Sequence, residues 1–320
     1  MSFRIGLVGL CTSHPSKWVP IIRELVSDKI VDCEVVAAWD SGETRPAGFA
    51  AQFCRSLSIP HTPENLEDML QLVDGVIIHT ANWKHHLEQG RLFIEAGKSV
   101  FIDKPIVGNM RDVNQLLAWL KQGYRITGGS ALRFTAEVKE LLQTLTPSEE
   151  KIHTVYSFAG MDDFNYGIHT YSLVSQIMGS GLVCAQYLCT SGQKQILLEY
   201  QNSRSAVISV GTAAVLPFNF TAASKNKLYQ MKIDNTWIYH SLLKAVLPYL
   251  TNNTDSPPIS NAVLLEPELA ALAAKTSWLN NGQKVFLSDL RLDDAGYDGD
   301  LFAVEYCRSK IKKQKEGCVT

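Results

Sequence analysis

The amino-acid sequence predicts an α/β protein, in which a doubly wound parallel sheet is followed by an α+β portion with a largely antiparallel, open sheet. Three observations carry this expectation. Short β-branched runs alternate with amphipathic stretches up to about residue 128, the pattern of strand–helix–strand crossovers. The texture changes after Gly128-Gly129, where the apolar runs begin to pair like hairpins. A length of 320 residues, at roughly 150 per domain, makes about two domains. The expected division is 1–128, then 129–305, then a charged tail over 306–320.

Phe3–Gly9 opens the chain as a strand, and Pro15–Ser27 follows with Trp18, Ile21, Ile22 and Leu25 at helical spacing. Glu34–Trp39 is a second strand ending at Asp40, and Val76–His79 a third. Asn82–Ala96 reads as a helix, Val100–Ile102 as a fourth strand, Met110–Lys121 as a helix and Arg125–Thr127 as a strand. In such a half, ligands sit outside the carboxyl ends of the strands. Beyond residue 129 the expectation is a helix at Ala131–Thr144, a strand at Lys151–Phe158 and a helix at Tyr166–Met178. A hairpin of Gln195–Tyr200 with Ala206–Val210 comes next, then a helix from Pro267 to about Trp278. Lys310–Lys315 with Glu316 is expected to be a charged tail without a role.

Composition narrows the function. Apolar residues make up 46% and charged residues 19%, enough to bury a full core. Thirty Lys and Arg against 32 Asp and Glu leave a net charge of −2, without the basic excess that nucleic-acid binding needs. The most apolar stretch, Ala206–Phe218, is cut by Ser209, Gly211, Thr212 and Pro217, so no membrane span is expected. The apolar start ending near Leu10 is too short and glycine-broken for a signal peptide. Seven cysteines (Cys11, Cys33, Cys54, Cys184, Cys189, Cys307, Cys318) form no C-x-x-C pair and read as reduced thiols of a cytoplasmic protein. His85-His86 are adjacent and point apart on a helix, so no metal site is expected.

The first strand–helix junction reads Gly6-Leu7-Val8-Gly9-Leu10-Cys11-Thr12-Ser13-His14. A dinucleotide fingerprint G-x-G-x-x-G starting at Gly9 would put glycines at 11 and 14, where Cys11 and His14 stand. A tight turn that only reverses the chain is the competing reading. Thr12 and Ser13 nevertheless place hydroxyls at a helix N-terminus, which favours an anion. Gly6, Gly9, Cys11, Thr12, Ser13 and His14 are therefore candidate contacts to a dinucleotide. Asp40 stands where a carboxylate accepts ribose hydroxyls and repels a 2′-phosphate, or serves as a turn aspartate before Ser41-Gly42. Arg45 can neutralise a 2′-phosphate, which keeps NADP open beside NAD.

Two further motifs follow the third and fourth strands: Thr80-Ala81-Asn82-x-x-His85, then Ala96-Gly97-Lys98-x-Val100 running into Asp103-Lys104-Pro105. In order and spacing they resemble the T-P-N-x-x-H, A-G-K-x-V and E-K-P motifs of the glucose–fructose oxidoreductase/inositol dehydrogenase family, Gfo/Idh/MocA. Ala81 replaces proline and Asp103 replaces glutamate. The resemblance implies a Rossmann-type first half with Thr80, Asn82, His85, Asp103 and Lys104 at the cofactor, and a cis Lys104-Pro105 bond. A homodimer or homotetramer formed through the open sheet is also implied.

Asn165, His169, Ser172 and Gln176 share one stripe of a helix, which by itself is a solvated polar face. The family carries D-x-G-x-H-x-x-D there, and this chain reads Asn165-Tyr166-Gly167-Ile168-His169-Thr170-Tyr171-Ser172. The resemblance implies that His169 faces the nicotinamide beside Lys104, with Asn165 in support. Arg133, Trp83, Tyr166 and Ser172 are candidate substrate contacts; a helix-surface position for Arg133 and core packing for the two aromatics are the alternatives. The expected function is an NAD(P)-dependent oxidoreductase acting on a carbinol or carbonyl carbon of a sugar, polyol or related metabolite. The alternative is a non-catalytic nucleotide- or sugar-sensing regulator, which Cys11, His14, Asn165 and Ser172 fit.

Overall fold

The computed structural model describes residues 2–145, 151–189, 192–211 and 214–315. Strands β1 (Phe3–Val8), β2 (Cys33–Trp39), β3 (Gly75–Ile78), β4 (Ser99–Ile102) and β5 (Ile126–Gly128) form a parallel sheet in the order β2-β1-β3-β4-β5. Helices α1 (His14–Ser27), α2 (Phe49–Ser56), α3 (Leu66–Met69), α4 (His86–Glu95) and α5 (Met110–Lys121) connect them. β3 and β4 are buried at every position because helices cover both faces of the sheet, and so they read as unbroken apolar runs.

Two stretches expected as single helices are broken. Asn82 caps a 3₁₀ turn over Trp83–His85 before α4 begins, its side chain accepting the Lys84 N–H. Thr135 separates a second 3₁₀ turn, Ala131–Phe134, from α6 (Ala136–Thr144), where its hydroxyl accepts the Val138 N–H.

The second sheet draws on β6 (Thr154–Phe158), β7 (Leu182–Tyr187), β8 (Lys194–Tyr200), β9 (Arg204–Val210), β10 (Asn219–Ala223), β11 (Leu228–Lys232) and β12 (Val285–Phe286). Their order is β11-β10-β6-β9-β8-β7-β12, antiparallel throughout except for the β6–β9 pair. The buried helix α7 (Gly167–Met178) packs on β6 and β9. Beside it are α8 (Ile238–Leu250), α9 (Asn261–Leu264) and α10 (Glu266–Leu279), and the sheet's far side leaves Tyr156 and Phe158 exposed. α8 also packs against α1 and so bridges the two sheets.

The expected tail is instead part of α11 (Gly299–Lys315), whose Phe302, Ala303 and Tyr306 turn inward. Glu316 and Cys318 lie outside the described residues. Six cysteines are free thiols, and among the described residues no helix is long and apolar enough to cross a membrane.

Candidate active site

A cavity of about 640 Å³ opens at the carboxyl ends of β1, β3 and β4. Thr12, Ser13, His14, Thr80 and Lys104 line it from the loops that follow these strands, and Asn165, Tyr166 and His169 from the start of α7 and the turn before it. Ile238 and Tyr239 of α8, with Phe302, Glu305, Tyr306 and Ser309 of α11, close the remaining sides.

Lys104 follows β4 and is joined to Pro105 by a cis peptide bond. Its Nζ donates to the Asn165 backbone oxygen at 2.9 Å and to Asn165 Oδ1 at 3.1 Å. Burial pulls this ammonium below the usual lysine range, against the attraction of Asp103 and Asp162. His169, on the first turn of α7, is 8% exposed and packs between Tyr166 and Phe218. Its Nδ1 meets Ser130 Oγ at 2.6 Å, which leaves Nε2 for a ligand. Burial, then the charges of Lys104 and His14, hold the imidazole well below its ordinary value, so it is neutral at neutral pH. Ser130 Oγ accepts the Leu132 N–H as well, which fixes the hydroxyl that orients the ring.

Asp103, also at the end of β4, is gripped by two imidazoles. His14 Nδ1 and His79 Nδ1 both contact its Oδ2, the latter at 3.2 Å, while Oδ1 accepts the Lys104 N–H at 2.8 Å. Burial alone would raise this carboxyl, but the charges and hydrogen bonds of the two histidines hold it well below the carboxylate range. His14 is stacked on Trp18 and edge-on to Tyr239. Among the described residues His14, His79 and Asp103 are the one group with donor atoms close enough to share a metal ion. With both Nδ1 atoms on a single oxygen they already form a closed hydrogen-bonded trio. His86 ties the two loops of the site together, with Nδ1 at 3.0 Å from the Ile106 carbonyl and Nε2 at 2.7 Å from that of Thr80.

Several of the residues expected at the site lie elsewhere. Gly6 packs on α3, where a Cβ would stand 2.6 Å from Met69 Sδ. Cys11 is fully buried outside the cavity, with its Sγ toward Asp40. Asp40 caps its own loops, accepting the Leu10 N–H at 2.6 Å and the Gly42 N–H at 2.9 Å. Asn82 is buried, and its amide donates to Glu43 and Asp300. His85 is half-exposed and pairs with Glu88, because the 3₁₀ turn leaves its neighbour His86 as the inward histidine. Trp83 is core, with Nε1 on the Tyr297 carbonyl and its ring against Phe164 and Phe302. Arg133 is 2% exposed and bonded to the carbonyls of Val263 and Leu264, so it is neither a cavity nor a surface residue. Ser172 is buried inside α7. The stripe that contains it is therefore not a solvated face: α7 runs through the core. Sequence reasoning passed over His79, His86, Ser130 and Tyr239, whose only signals were a strand end, an adjacent histidine, a cap serine and an unread helix.

The structure thus joins a parallel sheet of Rossmann type to a cavity at its strand ends that Lys104 and His169 both line. Residues 3–127 match the model of the Gfo/Idh/MocA family, described as an oxidoreductase family with an NAD-binding Rossmann fold. A protein of Amycolatopsis mediterranei assigned as a UDP-kanosamine synthase oxidoreductase subunit is 31% identical over 153 residues, 48% of this chain and 40% of that protein. The match thus spans less than half of that curated relative. Scyllo-inositol dehydrogenase from Lactobacillus casei, with bound NAD(H) and scyllo-inositol, has a similar fold. The TM-score is 0.69 at 17% identity, over 90% of this chain and all of that one. Myo-inositol dehydrogenase of the same organism, in complex with NAD(H) and myo-inositol, gives 0.71 at 13% identity over 89% and 97%.

One half of a nicotinamide dinucleotide fits these residues. Gly9, at φ +81°, lies so close to Thr80 that a Cβ would come within 2.4 Å of its Oγ1, the close backbone approach that such a turn needs. Thr12 and Ser13 open α1 beside the cavity, with Lys104 and His169 beyond. The other half meets covered ground. Leu10 and Cys11 are at most 1% exposed, and Asp40 does not line the cavity.

Proposed function

We propose that the protein is an NAD(P)-dependent oxidoreductase that moves a hydride between nicotinamide and a carbinol or carbonyl carbon of a sugar, polyol or related small metabolite. The observation that carries this reading is the convergence of Lys104 and His169, from different sheets' supporting elements, on one cavity beside the Thr12–His14 turn. Bound nicotinamide would supply the hydride acceptor or donor; Thr12, Ser13, His14, Thr80 and Lys104 are the residues placed to hold it. The chain's own residues handle the proton and the charge. His169, neutral at neutral pH, takes the hydroxyl proton of an alcohol on Nε2 and returns it in the reverse direction. Lys104 stabilises the negative charge developing on that oxygen. Asn165 aims the lysine through two oxygens without adding a charge.

NAD is the proposed cofactor, because Asp40 disfavours a 2′-phosphate near the end of β2 and Arg45 Nε is turned to the Leu10 carbonyl. The substrate class follows the inositols of the structural neighbours. The division of labour is a dinucleotide unit over 1–128 and a substrate unit over 129–305, with the sheet face bearing Tyr156 and Phe158 joining copies into a homodimer or homotetramer in the cytoplasm. The covered loop at Leu10 and Cys11 favours the second reading, a non-catalytic sensor. Titration with NADH and NADPH, followed by nicotinamide fluorescence and melting, tests both. At 100 times Kd the ligand stabilises the protein by about 2.7 kcal/mol. Turnover of a sugar and polyol panel supports the enzyme, nucleotide binding without turnover supports a nucleotide sensor, and no shift with either nucleotide refutes both of these.

A further inference from the structure

Helix α11 lies across the part of the parallel sheet where the far half of a dinucleotide would run. We propose that α11 and the adenosine half compete for one groove. As it stands, the cavity takes a ligand the size of nicotinamide mononucleotide; a full dinucleotide enters only when α11 moves aside. This rests on the nicotinamide reading given above.

Four observations support the competition. A loop that carries a diphosphate must offer its backbone, yet Leu10 and Cys11 are at most 1% exposed. Both polar groups of Leu10 are already engaged, the N–H by Asp40 Oδ2 at 2.6 Å and the carbonyl by Arg45 Nε at 2.9 Å. α11 is seated on this same ground: Cys307 Sγ lies 4.0 Å from the Thr44 carbonyl, and Tyr306 is near enough to Arg45 and Cys11 to feel their charges. Finally, Phe302, Glu305, Tyr306 and Ser309 of α11 line the cavity, whereas Asp40 does not.

The seat is also one that can open. Its polar latch is Asp300, which accepts the Asn82 amide at 2.9 Å and pairs with Lys84, together with Asp298 at 3.4 Å from Lys84 Nζ. Lys84, Asp298 and Asp300 are all well exposed, and ion pairs in water hold weakly. On its outer face α11 leaves Leu301 and Val304 about half exposed, so only one side of the helix is packed.

The test uses the full chain with reduced nicotinamide mononucleotide and NADH as probes, in wild type, Asp300→Ala and Ala303→Glu. Neither residue lines the cavity, and Ala303 faces inward at 2% exposure, so a charge there unseats the helix. Dinucleotide affinity is reduced by the fraction of molecules that are open, so both variants should bind NADH at least about tenfold more tightly while mononucleotide binding stays the same. In wild type, hydrogen exchange at residues 300–309 should speed up with NADH and not with the mononucleotide; this measurement decides if a variant does not fold. NADH affinity unchanged in both variants, or slower exchange of α11 with NADH, overturns the proposal. Failure of both ligands to bind any of the three proteins overturns the nicotinamide reading itself and this proposal with it.

Discussion

Glu268 offers a test of the buried charge that supports the Lys104 loop. Its Oε1 accepts the Ile106 N–H at 3.0 Å, two residues from Lys104, and its Oε2 has no hydrogen-bond partner. The side chain is 1% exposed, and burial pushes the carboxyl up from 4.5 to about 7 although Arg133 draws it down. At pH values between these two the folded protein keeps a proton that the unfolded chain has released. Stability therefore falls as pH rises through this window. Each pKa unit is worth 1.36 kcal/mol, so the loss over 2.5 units is about 3 kcal/mol, complete above pH ~7 and absent below pH ~4.5. Glu268→Gln retains an oxygen for Ile106 and has nothing to titrate. Arg133, with its own pKa lowered to about 10, stays charged throughout, so its lost partner costs the variant the same at each pH. The buried imidazoles His79, His86 and His169 are shifted down and slope the opposite way, but equally in both proteins. Urea unfolding at about pH 5 and about pH 8 measures the difference. Wild type should lose about 2.5 kcal/mol more than the variant between these conditions, the first part of the loss lying below pH 5. Equal pH dependence in the two proteins would refute the assignment of a buried, titrating carboxyl at this position.

Four further outcomes follow from the same geometry. Lys104→Ala should lower kcat by on the order of 10²–10³ while leaving NADH affinity within a few-fold, as steady-state rates and fluorescence titration would show. Because His169 is held below its ordinary value, the acid limb of kcat/KM in wild type should lie below pH 6.5. Asn165→Asp would put a carboxylate about 3.1 Å from Lys104 Nζ and raise both Lys104 and His169, so the acid limb should move to higher pH; a profile that stays in place removes His169 as the proton acceptor. Gly9→Ala must hold φ near +81° and force a Cβ against Thr80 Oγ1 and Thr80 N, at 2.4 and 2.6 Å. Left-handed strain and overpacking together should cost about 3 kcal/mol in denaturant unfolding.

What the sequence made legible follows from where each signal resides. The parallel half could be read because strands buried on both faces are apolar throughout, and because helix starts carry their own marks. Met110–Lys121 is read to its ends since Asn109 accepts the Asp112 N–H at its start. The Asn82 stretch misleads for the same reason: an asparagine at a strand end serves equally as a ligand contact or as a cap, and here it caps a 3₁₀ turn. With three residues per turn in place of 3.6, that turn rotates the chain so that His86 faces inward and His85 faces water. Lys104 and His169 are visible because chemistry-bearing side chains stand beside a strand end and on a helix turn. Their supports are silent in the sequence. Ser130 acquires its meaning from a histidine 39 residues away, His79 from an aspartate 24 residues away, and Glu268 from a backbone amide 162 residues away. α11 is hidden differently. The lysines of its last turns read as solvated tail, while Phe302, Ala303 and Tyr306 upstream give it one packed side too narrow to stand out as an apolar stripe.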